Sequence, residues 1–551
     1  MNEHFDFIVV GSGAGSMCAA LKLRAAGKSV LVLEKTDLIG GTTATSGGVM
    51  WIPNNRYMQT EGIHDSREDA ITYLEHAVGD SDDTPGARRT RREAYVDQAP
   101  EMLEFLIGQG CQFRRVPEWP DYYQVPGYSE SGRTVVSELF DLKKLDKEWQ
   151  AKLRPGFIPI PAYLEEAMQL GNMKRSKAAK KAFFRMIGRT LWSKLRGKNL
   201  VTAGHALQGQ LLHAAVQAGA EVRVNRSVNT FILDNGRVVG IVASSNGQAV
   251  EIGASLGVLI NAGGFARNQA MLVEYSPGAR SDWTNANPGD TGEVLQEAMR
   301  IGAAVAQMDE RVGSPCTLPP GDAALKPAMQ GDLCKPHSML IDQSGKRFMR
   351  ETVSYMAQSK AILEHNKNTP AIPSYLILDS QYLNKFMLAG SMPGKKKPKE
   401  WFESNFLLTG DTLEALAQAC GIDPTALKSS VERFNGFVDK GIDEDFGRGS
   451  EVYDRWLGDR LSETHPSLGR IEQGPFYALR IYPGDLGTYG GLLTDEHARV
   501  LRDDGQAIDG LYATGTSTAS VMGRITPGAG GSIGPSITWA YVAAKHAAAQ
   551  A

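Results

Sequence analysis

Cysteine is scarce and scattered in this chain: five residues in 551, namely Cys18, Cys111, Cys316, Cys334 and Cys420, with no Cys-x-x-Cys spacing. That pattern excludes a disulfide framework and gives no zinc or iron–sulfur ligand set, so no metal is expected. No stretch approaches the roughly 20 apolar residues that span a bilayer. No apolar signal segment precedes the first strand, and the expected location is the cytoplasm. An excess of positive charge is missing too. The formal net charge is −3, which argues against nucleic acid as a partner, because a phosphate-binding face must be basic. Internal repeats are absent, and the only biased tract is the short cluster Lys395–Lys397.

Glycine, by contrast, is plentiful. The 60 glycines cluster in short loops, a distribution that suits close approach of backbone to a ligand. Apolar and charged fractions of 42% and 22% are those of a globular protein. A chain this long exceeds one hydrophobic core and should hold two to four, or two large domains.

The first motif opens the chain. Phe5–Val10 reads as a buried strand and runs into Gly11-Ser12-Gly13-Ala14-Gly15-Ser16. A helical pattern follows as far as Gly27, then a second apolar run, Val30–Leu33, ending in Glu34 and Lys35. Strand, glycine turn, helix, strand and acid form a dinucleotide-binding unit. Gly11, Gly13, Ala14, Gly15 and Ser16 bring backbone N–H groups and the helix dipole to a pyrophosphate, and Glu34 accepts from a ribose hydroxyl. Ser16, small enough for the role, stands where a third glycine is usual.

Further pieces point to FAD rather than NAD. The loop after Glu34 contains Gly41, Thr42, Thr43, Ser46, Gly47 and Gly48, rich in N–H and hydroxyl donors. A strand near residue 260 ends at Ala262-Gly263-Gly264. Near the end of the sequence, Gly515 and the turn Gly531-Ser532-Ile533 precede the last helix. A cofactor touched from both ends of the chain requires a domain of discontinuous segments. The expected architecture is α/β: a Rossmann-like FAD-binding domain over 1–285 and 480–551, with an inserted α+β catalytic domain over 286–479.

Together these motifs resemble the FAD-dependent fumarate reductase and 3-ketosteroid dehydrogenase superfamily over essentially the whole chain. Against the fumarate reductases, three features differ. No histidine lies between Gly40 and Trp51 to attach the flavin, which implies noncovalent FAD. Pro483–Gly491 carries no histidine before its Thr488-Tyr489-Gly490-Gly491 turn. Tyr355 stands where the motif that begins Gly345-Lys346-Arg347-Phe348 would end in a proton-delivering arginine. Without those cations a dicarboxylate would be costly to desolvate, so a neutral, largely apolar substrate is expected.

The 3-ketosteroid dehydrogenase pattern fits better, through Pro483–Asp495, Asn287–Glu293, Ala519–Met522 and Gly534–Thr538. The resemblance implies a tyrosine base at Tyr355 that removes an α-proton, assisted by Tyr122, with Tyr123 as the neighbouring choice, while hydride passes to the flavin N5. Donors at the ketone oxygen are worth about 3 kcal/mol each in a shielded site. In the Δ1-dehydrogenases these are a tyrosine and, four residues later, a glycine. Gly530 keeps the glycine's place, but Thr526 replaces the tyrosine. Either Tyr489 supplies the phenol or the ketone sits differently.

Three readings stay open. The first is a Δ1-dehydrogenase of a 3-ketosteroid or similar apolar ketone, passing electrons to an unidentified acceptor. The second is a Δ4-dehydrogenase or related reductase. The third is a non-catalytic flavoprotein that binds a sterol-like ligand.

Lys174–Lys198 holds ten lysines and arginines and no acid, with Phe183, Ile187, Leu191 and Leu195 recurring every fourth residue beside Phe184 and Trp192. Such an amphipathic cationic helix suits the inner face of an anionic membrane. The alternative is a solvated helix whose apolar stripe packs on the FAD domain.

Overall fold

The computed structural model describes residues 3–550 apart from 80–82, 246, 322 and 324. Its principal sheet places Glu3–Val10 at the centre, parallel to Val30–Leu33 on one side and to Gln248–Ile260 on the other. Glu221–Arg223 extends one edge, and Ala507–Ala513 followed by Arg499–Leu501 extends the other. A hairpin, Arg226–Asp234 and Arg237–Ser245, continues antiparallel from Gln248–Ile260.

Phe7–Val10 and Val30–Leu33, at the middle of the sheet, are apolar and buried at every position because both faces are covered. Phe7, Val9, Val30 and Val32 join the core that contains the first helix, Ala14–Ala25, and the last, Ile533–Ala549. Ile8, Val10, Leu31 and Leu33 face the opposite core with Leu272 and Leu295. Alanines on both helices (Ala19, Ala20, Ala540, Ala544) let them pack closely, which brings the two ends of the chain against one another.

A second sheet is antiparallel, in the order Ser338–Ile341, Ser374–Leu378, Phe476–Ile481, Leu407–Gly410. It too is buried on both faces. Met339, Ile341 and Ile377 pack with Leu416 and Phe434, from helices Leu413–Cys420 and Pro424–Lys440. Leu340, Leu376 and Leu479 pack with Ile362 and Tyr382. Arg480 and Ile481 complete the strand Phe476–Ile481, so the chain leaves this sheet only after Ile481.

The cationic segment forms the helix Lys177–Leu195, and here one expectation is corrected. The helix does not pack through its apolar stripe. It buries Ala179, Ala182, Met186 and Ser193 and leaves Phe184, Ile187, Leu191, Trp192 and Leu195 between 40% and 81% exposed. Small side chains permit the close approach on the docked face. Arg189 fixes it, donating to the buried carboxylate of Glu166 (2.7 and 3.1 Å) and to the Pro161 carbonyl (2.9 Å). Among the described residues no helix is long and apolar enough to cross a membrane.

Candidate active site

Three strands deliver their carboxyl ends to one place, the usual position of a ligand in an α/β sheet. Glu3–Val10 runs into Gly11, Gln248–Ile260 into Asn261, and Ala507–Ala513 into Thr514 and Gly515. Asn261 is the hub. Its backbone N–H donates to the Val10 carbonyl (2.8 Å) and its side-chain amide to the Ser16 hydroxyl (2.9 Å). A Cβ at Gly11 (φ +97°) would lie 2.1 Å from the Asn261 carbonyl oxygen, and one at Gly15 2.7 Å from the Ser536 carbonyl oxygen. Ser16 is fully buried and uses its hydroxyl to hold Asn261. Gly13 precedes a helix whose start carries no side-chain cap, which leaves it suited to an anionic phosphate.

Glu34 is buried at the end of the second strand. Its carboxylate accepts from Ser12 Oγ at 2.5 Å and from N and Oγ1 of Thr36 at 2.9 Å. Lys35 points elsewhere: its ammonium meets Thr291 Oγ1 (2.5 Å) and the Glu293 carboxylate (3.0 Å), bracing the Asn287–Glu293 segment. The loop 41–48 lies between these parts. Thr42 Oγ1 accepts from Asn287 N–H (2.9 Å), Thr43 Oγ1 sits 3.5 Å from the N–H of Ala14, and Ser46 Oγ accepts from Gly48 N–H (3.0 Å). Gly41 opens the short helix Gly41–Ala44, and a Cβ at Gly47 would just touch Leu164.

Ala262-Gly263-Gly264 is held on two sides. Ala262 N–H donates to Ser517 Oγ (3.1 Å), which donates to the Gly263 carbonyl (2.7 Å), while Gly264 N–H donates to the Asp290 carboxylate. Burial raises Asp290 to about 7. Gly531, Ser532 and Gly515 line a small cavity with Tyr489 and Trp539 just before the last helix begins at Ile533.

Beside this cradle stands a cluster of phenols. Tyr355 is the first residue of helix Tyr355–Asn366, whose N-cap Ser354 accepts from Ala357 N–H (3.3 Å). Its ring meets Tyr122 edge-on at 5.9 Å, and Tyr122 packs on Tyr453 at 4.2 Å. Tyr122 is buried, anchored by its N–H to the Pro527 carbonyl (2.9 Å). Tyr123 instead shares a hydrogen bond with Ser354 Oγ (3.2 Å). Burial pushes the Tyr355 phenol up to about 12, against which hydrogen bonds from Thr526 and Tyr122 act to lower it. Tyr122 is held well above the ordinary phenol range, by burial first and then by the neighbouring Tyr453 and Tyr355. Of the two phenols, Tyr355 is the less strongly raised.

Thr526 is buried, its hydroxyl donating to Met356 Sδ (3.4 Å) and lying close enough to the Tyr355 and Tyr489 phenols to act to lower both. Tyr489 is buried and donates to the Gly531 carbonyl (3.0 Å), its phenol raised by burial. Thr526, Tyr489, Tyr355 and Tyr122 are thus brought together. Gly530, at φ +98°, presses on the strand Val49–Trp51, where a Cβ would lie 2.4 Å from Trp51 N. Reading the sequence missed Asn261, Ser536, Asp290 and Tyr453. The first three lie within quoted motifs, whereas Tyr453, which accepts from Gln330 Nε2 (2.8 Å), has no motif around it.

The pH dependence follows from the Tyr355 shift. A tyrosine acting as a base does so as the phenolate, so with the Tyr355 phenol near 12 that fraction rises about tenfold per pH unit from pH 7 to 10. Rapid-reaction flavin reduction should climb accordingly. Thr526→Val removes a hydrogen bond that lowers the phenol, so its curve should lie at higher pH and its rate at pH 8 should drop. A flat profile in both would contradict this arrangement.

Asp121 anchors the segment that carries Tyr122. It accepts from Trp51 Nε1 (2.7 Å) and Ser129 N–H (3.0 Å) and pairs with Arg133, which also binds Asp65 at 2.6 Å. All three charged side chains are about 1% exposed. Arg133→Met leaves two carboxylates buried without their partner, and a loss of roughly 3–5 kcal/mol is expected in chemical denaturation. A loss below 1 kcal/mol would show that water solvates this site.

The cradle and the phenols beside it define a flavoprotein oxidoreductase. The sequence pattern of the FAD binding domain family matches residues 6–533. A 3-oxosteroid 1-dehydrogenase of Mycobacterium tuberculosis is 37% identical over the whole chain and 99% of its own. A 4-oxocyclohexanecarboxylate 2-dehydrogenase of Sinomonas cyclohexanicum is 34% identical over 99% of this chain and 93% of its own. The crystal structure of 3-ketosteroid delta1-dehydrogenase from Sterolibacterium denitrificans, in complex with 1,4-androstadiene-3,17-dione, matches at 36% identity and a TM-score of 0.93 over all of both chains. The chain belongs to the FAD-binding flavoprotein family, in the group that contains the 3-oxosteroid 1-dehydrogenases.

Proposed function

We propose that this protein is an FAD-dependent 3-ketosteroid dehydrogenase that introduces a ring-A double bond between C1 and C2, next to the C3 ketone. The observation that carries it is the Tyr355–Tyr122–Thr526 hydroxyl cluster set against the Gly530 turn and the nucleotide cradle. FAD fits the residues present: a side chain at Gly11 or Gly15 would collide with the protein, and the helix start at Gly13 is free for phosphate. Gly11, Gly13–Ser16, Glu34, the 41–48 loop, Ala262–Gly264, Gly515 and Gly531–Ile533 would hold it, noncovalently, since the 41–48 loop carries no histidine. When bound, FAD supplies the acceptor for a hydride.

The chain's own residues do the rest. Tyr355 takes the proton from the carbon next to the ketone, Tyr122 donates to the Tyr355 oxygen, and Thr526 donates from the other side. The Gly530 backbone, with the Tyr489 phenol nearby, faces the developing oxyanion, where fixed donors act most strongly. Two relatives support Δ1 chemistry by name.

The test is regiochemical: turnover with a dye acceptor on a 4-ene-3-ketosteroid, a 5α-saturated 3-ketosteroid and 4-oxocyclohexanecarboxylate, with products identified by NMR. A 1,4-diene from the first substrate supports the proposal. Product from the saturated ketosteroid alone, as the 4-ene, would assign Δ4 chemistry. Product from the ring-ketone acid alone would overturn the steroid assignment.

A further inference from the structure

We infer that the outward face of helix Lys177–Leu195 is a docking surface for an anionic lipid bilayer. Seven of the eleven large hydrophobic residues exposed among the described residues fall between positions 157 and 195. Five of them, Phe184, Ile187, Leu191, Trp192 and Leu195, lie on this helix, directed away from its docked face of Ala179, Ala182 and Met186. Phe157 and Met168, in the preceding segment, are exposed as well. An apolar patch of this kind on a monomer marks an interaction site.

The charge pattern selects the partner. Lys177, Lys180, Lys181, Lys194 and Arg196 are exposed, and among the described residues none has an acidic partner; the segment's ion pairs are Arg175–Asp459 and those of Arg185 and Arg189 with Glu166. The ammonium of Lys174 lies beside Gly394, which adds the exposed Lys395 and Lys396 to the same surface. A second copy of the chain would face these cations with its own, a repulsive arrangement. A bilayer with acidic headgroups accepts both features at once, with cations at the phosphates and the Phe184–Leu195 stripe at the acyl boundary.

The surface is tied to the active site at both ends. Beyond the helix, Thr202 Oγ1 donates to the carbonyl of Ala162 (2.5 Å), in the segment before it, where a Cβ at the loop glycine Gly47 would meet Leu164. At its start, Arg175 donates to Asp459 (2.5 Å), just beyond the helix Val452–Leu457 that carries Tyr453. Docking would therefore set the catalytic cluster beside the phase into which an apolar ketone partitions. That use rests on the function proposed above; the docking does not.

The test is co-sedimentation of the FAD-loaded enzyme with vesicles of phosphatidylcholine alone or with about a third phosphatidylglycerol. Two variants, K177E/K180E/K181E and L191S/W192S, are compared, and oligomeric state is measured by light scattering. Binding should require phosphatidylglycerol, weaken with salt and fall by about a hundredfold or more in the charge variant, since each basic residue near such a surface contributes about 1 kcal/mol. It should fall in the apolar variant too, while flavin content and dye reduction with dissolved substrate stay unchanged in both. No binding by the wild-type enzyme, equal binding by the variants, or a dimer that L191S/W192S dissociates would overturn the proposal. Failure on every ketone with vesicle binding intact would count against the function and not against the docking.

Discussion

Tyr355→Phe is expected to give a yellow, folded enzyme whose flavin reduction by a 4-ene-3-ketosteroid is slower by about 10³-fold, within the range a positioned general base contributes. The ring keeps its edge contact with Tyr122, so the packing cost is small and flavin content should be unchanged. What is lost is the one oxygen that two hydroxyls support: Tyr122, from the segment anchored by Asp121, and Thr526, from the turn before Gly530. Substrate affinity, read from the concentration dependence of the residual rate, should change much less than the limiting rate, because the base acts in the transition state. Tyr122→Phe should fall between the two enzymes, since its phenol supports the base without touching the proton. A Tyr355→Phe enzyme within tenfold of wild type would remove Tyr355 from the chemistry.

Gly11→Ala should abolish flavin binding. Two costs add at this position. An alanine at φ +97° is strained, and its Cβ would lie 2.1 Å from the Asn261 carbonyl oxygen and 2.7 Å from that carbonyl carbon. Neither obstacle is a flexible side chain that could turn away. The Gly11 N–H is bonded to the Leu33 carbonyl (2.8 Å), and Asn261 N–H to the Val10 carbonyl (2.8 Å), so relief means spreading the central strands. Overpacking of a rigid site costs roughly 1–3 kcal/mol and backbone strain of this kind about 1–2 more. The cradle would open where a pyrophosphate needs it closed. The purified variant should lack the visible flavin band and melt several degrees lower, and added FAD should not restore it. A variant that carries a full complement of flavin would show that the Gly11–Asn261 contact can relax, and would weaken the cradle assignment.

The nucleotide half of the site is legible in the sequence because its signals are local. Glycine spacing, a strand on each side and Glu34 at the next strand's end all lie within residues 5–34. The hub at Asn261 is less legible, since its partners Val10 (a strand end), Ser16 (the first helix) and Gly515 (the turn after Ala507–Ala513) are far from it in sequence and only the fold makes them neighbours. Tyr453 illustrates the harder case. Its hydroxyl partner Gln330 and its ring partner Tyr122 are each more than 100 positions away, and no spacing announces either. Helix Lys177–Leu195 shows a different limit. Its periodicity is plain, but periodicity alone does not say which face meets the protein. The deciding groups are the small Ala179 and Ala182 and the Arg189–Glu166 pair, and they favour the face opposite the apolar stripe.

Anaerobic mixing of the purified holoenzyme with one equivalent of 4-androstene-3,17-dione tests the central claim most directly, with flavin absorbance followed and the released steroid identified. Bleaching of the flavin band, matched mole for mole by 1,4-androstadiene-3,17-dione, is the expected result. A flavin that stays oxidised while the steroid returns unchanged would contradict the account, leaving an FAD-binding fold whose phenol cluster serves another substrate.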